Sequence, residues 1–171
     1  MVQNGSKKLK VGVCFGCMRR YDFAIVGAGV CGAWIAYELS KRDVSVVVLE
    51  KESDVCMGTS KANSAIVHAG YDPMPGSLMA RLNVRGNELI RHVHDEMAIP
   101  FKQVGSLVVA FDDEGLGVIR KLYERGVSNG VPDLVLLSEE ETLAREPNLS
   151  NECKGSLFAP TGGICSPFEL T

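Results

Sequence analysis

Residues 22–50 read DFAIVGAGVCGAWIAYELSKRDVSVVVLE, and this stretch decides the fold. Residues 23–26 form a short apolar run, which is typical of a strand buried on both faces of a parallel sheet. The run leads directly into three glycines with the spacing GxGxxG, namely Gly27, Gly29 and Gly32. A helical segment follows the third glycine, and a second apolar run, residues 44–49, ends on Glu50. This order predicts the first crossover unit of a doubly wound α/β sheet.

Each glycine of this motif has its own physical role. Gly27 permits the tight turn, Gly29 lets the backbone approach a pyrophosphate, and Gly32 lets the helix pack closely on the strand. The N-terminus of the helix then offers free N–H groups and a partial positive charge to phosphates. Glu50 lies 21 residues after Gly29, where its carboxylate can accept both hydroxyls of an adenosine ribose. The stretch therefore predicts dinucleotide binding.

The residues after Glu50 indicate which dinucleotide fits. A carboxylate at position 50 would repel a 2′-phosphate, which argues against NADP. Basic side chains nearby weaken that argument, namely Lys41, Arg42 and Lys51. Residues 58–64, GTSKANS, form a polar loop rich in small donors, and the segment AIVHAG follows at 65–70. Such a loop suits a ligand that extends well beyond adenosine, so FAD is favoured over NAD.

Two stretches of the sequence carry a resemblance to a known family. They are residues 22–52 and residues 58–87, which read GTSKANSAIVHAGYDPMPGSLMARLNVRGN. Together they resemble the FAD-dependent oxidoreductases grouped with D-amino-acid oxidase. Within that group the chain is most similar to glycerol-3-phosphate dehydrogenases and L-2-hydroxyglutarate oxidases. The similarity continues through GSLVVAF at 105–111, SEEETLAREPNL at 138–149 and GGICSPFELT at 162–171. It thus covers nearly everything from residue 22 onward.

The resemblance implies an α/β fold, with an FAD-binding Rossmann-like domain of the glutathione-reductase type and part of an α+β substrate domain. It implies that the ADP half of FAD binds at Gly27, Gly29, Gly32, Glu50 and the adjacent Lys51. The middle of the cofactor would lie along Thr59, Ser60, Asn63 and Ser64. The flavin ring would be approached by His68, Ala69 and Gly70.

His68 is the catalytic candidate, with two interpretations left open. A histidine between Val67 and Ala69 fits a core side chain satisfied by its surroundings. It fits equally well a group beside the flavin that hydrogen-bonds the ring or a bound hydroxy acid. The catalytic base and the groups that grip an anionic substrate are not identifiable, because in the family they lie largely beyond residue 171.

A long helix is predicted from Pro75 onward. Its apolar residues recur at helical spacing, at Leu78, Leu82, Leu89, Val93 and Met97. His92 and His94 are two positions apart, which places them about 200° apart around the helix axis, so the pair cannot chelate one metal ion. No spacing in the chain predicts a metal site.

Strands and a short helix are predicted in the second half. Residues 101–111 predict a strand with Gly105 as a bulge, and residues 155–165 predict a hairpin. Ser138 with Glu141 three residues later has the spacing of a capping box, which marks the start of a helix.

The chain ends on the signal for another helix, with Ser166 as N-cap and Pro167 at the first helical position. Two parallel strands and one crossover helix are also fewer than a covered parallel sheet needs. We therefore expect the N-terminal part of a longer flavoenzyme, truncated and short for activity on its own. The predicted division is a flexible basic leader at 1–21, the FAD-binding part at 22–100, the substrate-binding part at 101–166, and at 167–171 the start of a helix returning to the FAD domain.

Composition excludes several other classes. The 171 residues are 46% apolar and 23% charged, which disfavours disorder and a nucleic-acid-binding module. Five of the 18 basic residues precede Asp22, the first of 21 acidic residues. That leader resembles a transit peptide, but it has one serine and no convincing cleavage site. No apolar run approaches the roughly 20 residues that span a bilayer.

The six cysteines predict reduced thiols, and the Cys14–Cys17 pair lacks the second pair that a zinc site needs.

The expected function is hydride transfer from a CH–OH group to flavin, with glycerol 3-phosphate as substrate. The alternatives are an L-2-hydroxyglutarate oxidase and a non-catalytic dinucleotide-binding fragment. The expected partners are a small anionic hydroxy substrate, an electron acceptor such as a quinone or oxygen, and a C-terminal half or partner chain; nucleic acid and a transmembrane segment are not expected. We expect a cytoplasmic protein, with mitochondrial or peripheral-membrane placement as alternatives.

Overall fold

The computed structural model describes residues 19–171 and shows a mixed α/β architecture with three small sheets. The Cys14–Cys17 pair and most of the basic leader, residues 1–18, lie outside the described residues. The strands are β1 (Phe23–Val26), β2 (Val46–Leu49), β3 (Ile66–Val67), β4 (Phe101–Lys102), β5 (Ser106–Ala110), β6 (Val135–Ser138), β7 (Gly155–Ala159) and β8 (Gly163–Cys165). The helices are α1 (Val30–Ser40), α2 (Leu78–Glu96), α3 (Asp113–Ser128) and α4 (Glu139–Arg145), with a 3₁₀ turn at Thr59–Lys61.

The first unit is the predicted strand, helix and strand. β1 and β2 pair in parallel, from Phe23 opposite Val46 to Val26 opposite Leu49. The helix starts earlier than expected, because Gly29 is already its N-cap and Gly32 lies in its first turn. The reason is that the tight turn is complete at Gly27, whose φ is +99°.

The remaining strands form two antiparallel sheets, with orders β3-β8-β4 and β5-β7-β6. The predicted strand at 101–111 is split at Gly105, which has a φ of +75°, so that β4 and β5 belong to different sheets. The predicted hairpin at 155–165 is wrong, since β7 pairs with β5 and β6 whereas β8 pairs with β3 and β4. Local turn residues could not show these long-range partners.

The two points at which the chain changes sheets lie side by side. One is at Gly105, between β4 and β5, and the other is at residues 160–162, between β7 and β8. The Gly105 N–H donates to the carbonyl oxygen of Gly162 at 2.8 Å. A Cβ on Gly105 would lie against the ring of Phe158, so the close approach requires glycine there.

The hydrophobic core lies between α3 and the β5-β7-β6 sheet. Its buried members are Ala69, Ala110, Ile119, Val131, Leu134, Leu157 and Ala159. Next to it, Thr142 and Ser156 form a buried hydroxyl pair 2.9 Å apart. The predicted capping box is confirmed, because Ser138 Oγ accepts the N–H of Glu141 and Glu141 Oε2 accepts the N–H of Ser138.

Helix α2 buries a different face from the one that carries most of its predicted apolar stripe. Its buried residues are Ala80, Asn87 and Ile90, whereas Leu78, Leu82 and Leu89 are exposed. The helical period identifies the two faces of a helix, but it does not say which face meets the core.

Candidate functional site

The glycine turn connects the end of β1 to the N-terminus of α1. The Gly27 N–H donates to the carbonyl oxygen of Leu49 at 2.7 Å, which ties the turn to the end of β2. Nothing lies within 4 Å of the position that a Cβ on Gly27 would occupy. The space beside the Gly27 Cα is therefore not filled by the described residues.

Gly32 lies where the helix crosses the strand. A Cβ on this residue would overlap the carbonyl oxygen of Gly27 and would lie 3.3 Å from Cγ2 of Ile25. The third glycine of the motif is thus required by packing between α1 and β1. This contact is the one that the spacing predicts.

The N-terminus of α1 meets the polar loop. Ser60 Oγ accepts the Val30 N–H at 2.9 Å, and a Cβ on Gly29 would lie at the same distance from that oxygen. The N-cap Gly29 supplies no side-chain acceptor, and the first turn holds no acid. The N–H groups of Cys31, which is exposed, and Gly32, which is buried, have no partner inside the helix, and they are the donors that this N-terminus can offer to an anion.

The Glu50 carboxylate lies against the same turn. Its Oε2 accepts the Ala28 N–H at 2.6 Å, and its Oε1 accepts the N–H groups of Lys51 at 2.8 Å and Glu52 at 3.0 Å. These bonds, that from Ala28 above all, hold the pKa of Glu50 below its ordinary range. A carboxylate has about four lone-pair directions, so one remains for a ligand hydroxyl.

The polar loop closes on itself before β3. Asn63 Nδ2 donates to the Ser60 carbonyl at 2.6 Å, and Asn63 Oδ1 accepts the Ala65 N–H at 2.7 Å. Asn63 therefore shapes the loop with both ends of its amide. Thr59 and Ser64 are exposed, as is Lys51, whose Nζ lies 3.5 Å from Glu52 Oε1.

His68 follows β3 and its side chain is exposed, so the interpretation as a satisfied core histidine is wrong. The strand that precedes it, β3, is an edge strand of the β3-β8-β4 sheet. His68 lines a cavity of about 230 Å³, together with Gly70, Tyr71, Asp72, Pro73, Met79 and Asn83. Ala69 and Gly70 differ from it, since Ala69 is 1% exposed and packs in the core, and Gly70 is buried against Val84.

Sequence reasoning missed Asn87, which is 4% exposed. Its Nδ2 donates to the His68 carbonyl at 3.1 Å and to the Thr161 carbonyl at 2.8 Å. The available signal was an asparagine four residues after Asn83 on an amphipathic helix, which places both on one face. The apolar stripe drew attention to the opposite face.

Residues 19–171 contain neither a cluster of metal ligands nor a membrane-spanning helix. No group of three or more His, Cys, Asp or Glu side chains there could hold a metal ion. No helix in the same range is long and apolar enough to cross a membrane. The four cysteines within it, Cys31, Cys56, Cys153 and Cys165, are free thiols.

A parallel strand-helix-strand unit with a glycine turn, a helix N-terminus whose N-cap is glycine and an acid after the second strand defines a dinucleotide-binding α/β protein. The model of the family described as FAD dependent oxidoreductase (DAO) matches residues 22–171, and the chain belongs to that family. The predicted family, fold class and cofactor, FAD, are thereby confirmed.

Two curated relatives carry the names expected from the resemblance. The chain is 53% identical over 151 residues to a glycerol 3-phosphate dehydrogenase of Caloramator mitchellensis, a match that covers 88% of this chain and 32% of that protein. It is 40% identical over 148 residues to a mitochondrial L-2-hydroxyglutarate dehydrogenase of Nematostella vectensis, covering 84% and 32%. The chain thus spans about a third of the length of these relatives.

Solved structures agree with the fold. L-alpha-glycerophosphate oxidase from Mycoplasma pneumoniae, reduced by dithionite and with FAD bound, superposes with a TM-score of 0.85 at 33% identity. The match covers 90% of this chain and 41% of that one. Glycine oxidase from Geobacillus kaustophilus gives a TM-score of 0.77 at 28% identity, covering 90% and 42%.

Proposed function

We propose that the chain supplies the FAD-binding part of an oxidoreductase that acts on the CH–OH group of glycerol 3-phosphate. The observation that carries the proposal is the convergence of the glycine turn, the α1 N-terminus, Ser60 and Glu50 on one open region. The dehydrogenase at 53% identity supports the substrate.

The residues present fit FAD in a specific way. The N–H groups of Cys31 and Gly32 would receive the pyrophosphate, and the helix dipole would favour its charge. Gly27 and Gly29 would let the backbone approach it, and Glu50 would accept one ribose hydroxyl with the lone pair that its three backbone N–H bonds leave free. Along the middle of the cofactor we place Thr59, Ser60, Asn63 and Ser64, with Lys51 near the adenosine end.

His68 is the proposed catalytic residue. When bound, FAD supplies a hydride acceptor for the carbon that bears the substrate hydroxyl. The exposed imidazole would hydrogen-bond the hydroxyl or the ring and hold the substrate in the cavity that it lines. Ala69, with its side chain in the core, and the buried Gly70 would approach the ring through their backbone.

A second candidate function is oxidation of L-2-hydroxyglutarate, which the 40% identical relative supports. A further alternative is a dinucleotide-binding fragment that has no catalysis of its own and requires a partner chain. For the whole protein we propose a small anionic hydroxy substrate, an electron acceptor of undefined type, and a cytoplasmic location, with mitochondrial or peripheral-membrane placement as alternatives.

The purified protein tests these proposals. We expect flavin absorbance that is bleached under anaerobic conditions by glycerol 3-phosphate and not by L-2-hydroxyglutarate. Bleaching by the second compound alone would select the alternative substrate, and bound flavin that neither compound reduces would favour the non-catalytic fragment. A colourless folded protein that takes up no added FAD would overturn the cofactor site.

The role of His68 is tested by His68→Ala, with the exposed His92→Ala on α2 as the matched control. We expect turnover to fall about 100-fold, within the range typical of losing a proton-handling group, while FAD stays bound. Normal turnover in His68→Ala would remove this residue from the mechanism.

A further inference from the structure

The segment that carries His68, residues 68–73, is held by its backbone carbonyls. Four of its six carbonyl oxygens accept side-chain donors that come from α2, α3 and the end of α3. The bonds are Asn87 Nδ2 to His68 at 3.1 Å, Asn129 Nδ2 to Gly70 at 3.0 Å and to Pro73 at 2.8 Å, and Arg125 Nη1 to Asp72 at 2.7 Å. The segment that lines the cavity is therefore fixed from two helices.

Asn87 is the anchor nearest to the imidazole. Its side chain is buried on α2, and its amide spends both N–H donors on two carbonyls, those of His68 and Thr161. Thr161 lies at the turn between β7 and β8. One side chain thus joins helix α2, the His68 peptide and the point where the chain passes between the two antiparallel sheets.

Asn129 supports the same arrangement from the other side. Its Nδ2 faces the carbonyls of Gly70 and Pro73, and its Oδ1 is buried with no hydrogen-bond partner among residues 19–171. Turning the amide over would place Oδ1 against two carbonyl oxygens, so the donor must face the segment. The hydrogen bonds from Nδ2 to these two carbonyls therefore leave the buried Oδ1 without a donor, which is energetically unfavourable.

The peptide after His68 determines where the imidazole points. Ala69 fixes one side of this peptide by its burial in the core, and Asn87 fixes the other through the carbonyl oxygen. Because β3 has only two residues, the sheet alone gives His68 little support. Without the Asn87 donor, the buried Thr161 carbonyl and the partly buried His68 carbonyl would each lose a hydrogen bond, and the peptide would be held less firmly.

We propose that Asn87 is a positioning residue that aims His68 at the flavin and substrate, an inference that rests on the proposed function. As a buried residue bonded to the His68 carbonyl, it would act through the His68 backbone. Its removal misplaces the imidazole by a fraction of an ångström to an ångström, a displacement that can lower turnover by about 100-fold.

The test is a double-mutant cycle in the FAD-loaded protein, with Asn87→Ala, His68→Ala and the double variant. Readouts are kcat, KM, and the visible spectrum and midpoint potential of the bound flavin. We expect Asn87→Ala to lower kcat at least about tenfold with little change in KM. We expect it to shift the potential in the same direction as His68→Ala, and the double variant to match His68→Ala alone. Asn151→Ala, on an exposed loop, is the matched control and should leave all readouts unchanged.

Several outcomes would overturn the inference. One is a lowered melting temperature in Asn87→Ala with unchanged kcat and flavin potential, since a purely structural role predicts it. Another is an effect that adds in full to that of His68→Ala. If Asn87→Ala does not fold, Asn87→Ser, which keeps one donor, carries the same cycle, and failure of both to bind FAD would show a structural role. Normal turnover in His68→Ala would overturn the proposed function of His68 itself, a result distinct from additivity.

Discussion

The nucleotide-binding unit and the core sheet of this chain are built in opposite ways. In the unit formed by β1, α1 and β2, Val26 is 86% exposed and Leu49 is 53% exposed. In the β5-β7-β6 sheet, Leu157 and Ala159 are both 0% exposed. The unit that holds the glycine motif thus contributes no member to the main core cluster of the described residues, and the sheet that holds the core lacks such a motif.

The difference separates two requirements that one domain usually meets together. A ligand turn needs exact backbone spacing, which glycines and one acid provide with few buried side chains. Thermodynamic stability needs buried apolar area, which α3 and β7 provide. Substitutions in the core sheet should therefore mainly lower stability, and substitutions in the nucleotide-binding unit should mainly lower cofactor affinity.

The largest effect should come from Leu157→Ala in the core sheet. Removing a fully buried leucine costs about 2–5 kcal/mol of unfolding free energy. The same change at the half-exposed Leu49 should cost under about 1 kcal/mol, since little buried area is lost. Urea denaturation followed by circular dichroism measures both. Equal losses of unfolding free energy at the two positions would show that the two regions contribute alike to stability.

Next in size is Gly32→Ala in the nucleotide-binding unit. The added Cβ meets the Gly27 carbonyl, so the turn must shift. Such overpacking lowers the free energy of unfolding by about 1–3 kcal/mol. We expect FAD affinity to fall about 10- to 100-fold in a flavin fluorescence titration. Gly117→Ala on α3, where the new Cβ meets nothing within 4 Å, is the control and should leave affinity unchanged. Unchanged affinity in Gly32→Ala would contradict the packing role of the third glycine.

A smaller effect is expected from Ser138→Ala, which removes the N-cap of α4. The change should lower the unfolding free energy by about 1 kcal/mol, because the Glu141 N–H loses its acceptor. FAD affinity should not change. Ser53→Ala, at an exposed position, is the control, and a stability loss there of the same size would refute the capping argument.

The smallest effect concerns pH. The pKa of Glu50 lies below its ordinary value of 4.5 in the folded chain, chiefly through the Ala28 N–H, so the ionised carboxylate stabilises the fold above that value. This contribution is lost as the pH falls through the lower, folded pKa. The melting temperature of the wild type should therefore exceed that of Glu50→Gln at pH 7, and the gap should narrow below about pH 4.5. A gap that is constant from pH 7 to pH 3 would contradict this assignment.

The glycine motif and the capping box could be predicted from local sequence patterns. Contacts between segments far apart in the sequence could not. Gly32 and Glu50 could be placed because each acts within one strand-helix-strand unit of fixed dimensions. Ser138 and Glu141 could be placed for the same reason, since a capping box spans a single turn. The cavity at His68 could not, because its walls come from α2 and from segment 68–73, whose approach depends on the whole fold.

The errors have a common physical origin. The hairpin predicted at 155–165 fails because strand pairing depends on which distant strand is available, and β7 finds β5 and β6. The stripe of Leu78, Leu82 and Leu89 is exposed. The opposite face of the helix is buried, because Asn87 on that face donates to the carbonyls of His68 and Thr161. A buried asparagine cannot be distinguished from an exposed one by periodicity alone.

The bond between Gly105 and Gly162 has a mechanical consequence. Both passages of the chain between the two antiparallel sheets occur at this point, so a hinge there would have to bend two strands together and break the bond between them. The two antiparallel sheets should therefore move together as one rigid body. A disturbance of the core at β7 would then be transmitted through β8 to β3, and so to the edge from which His68 projects.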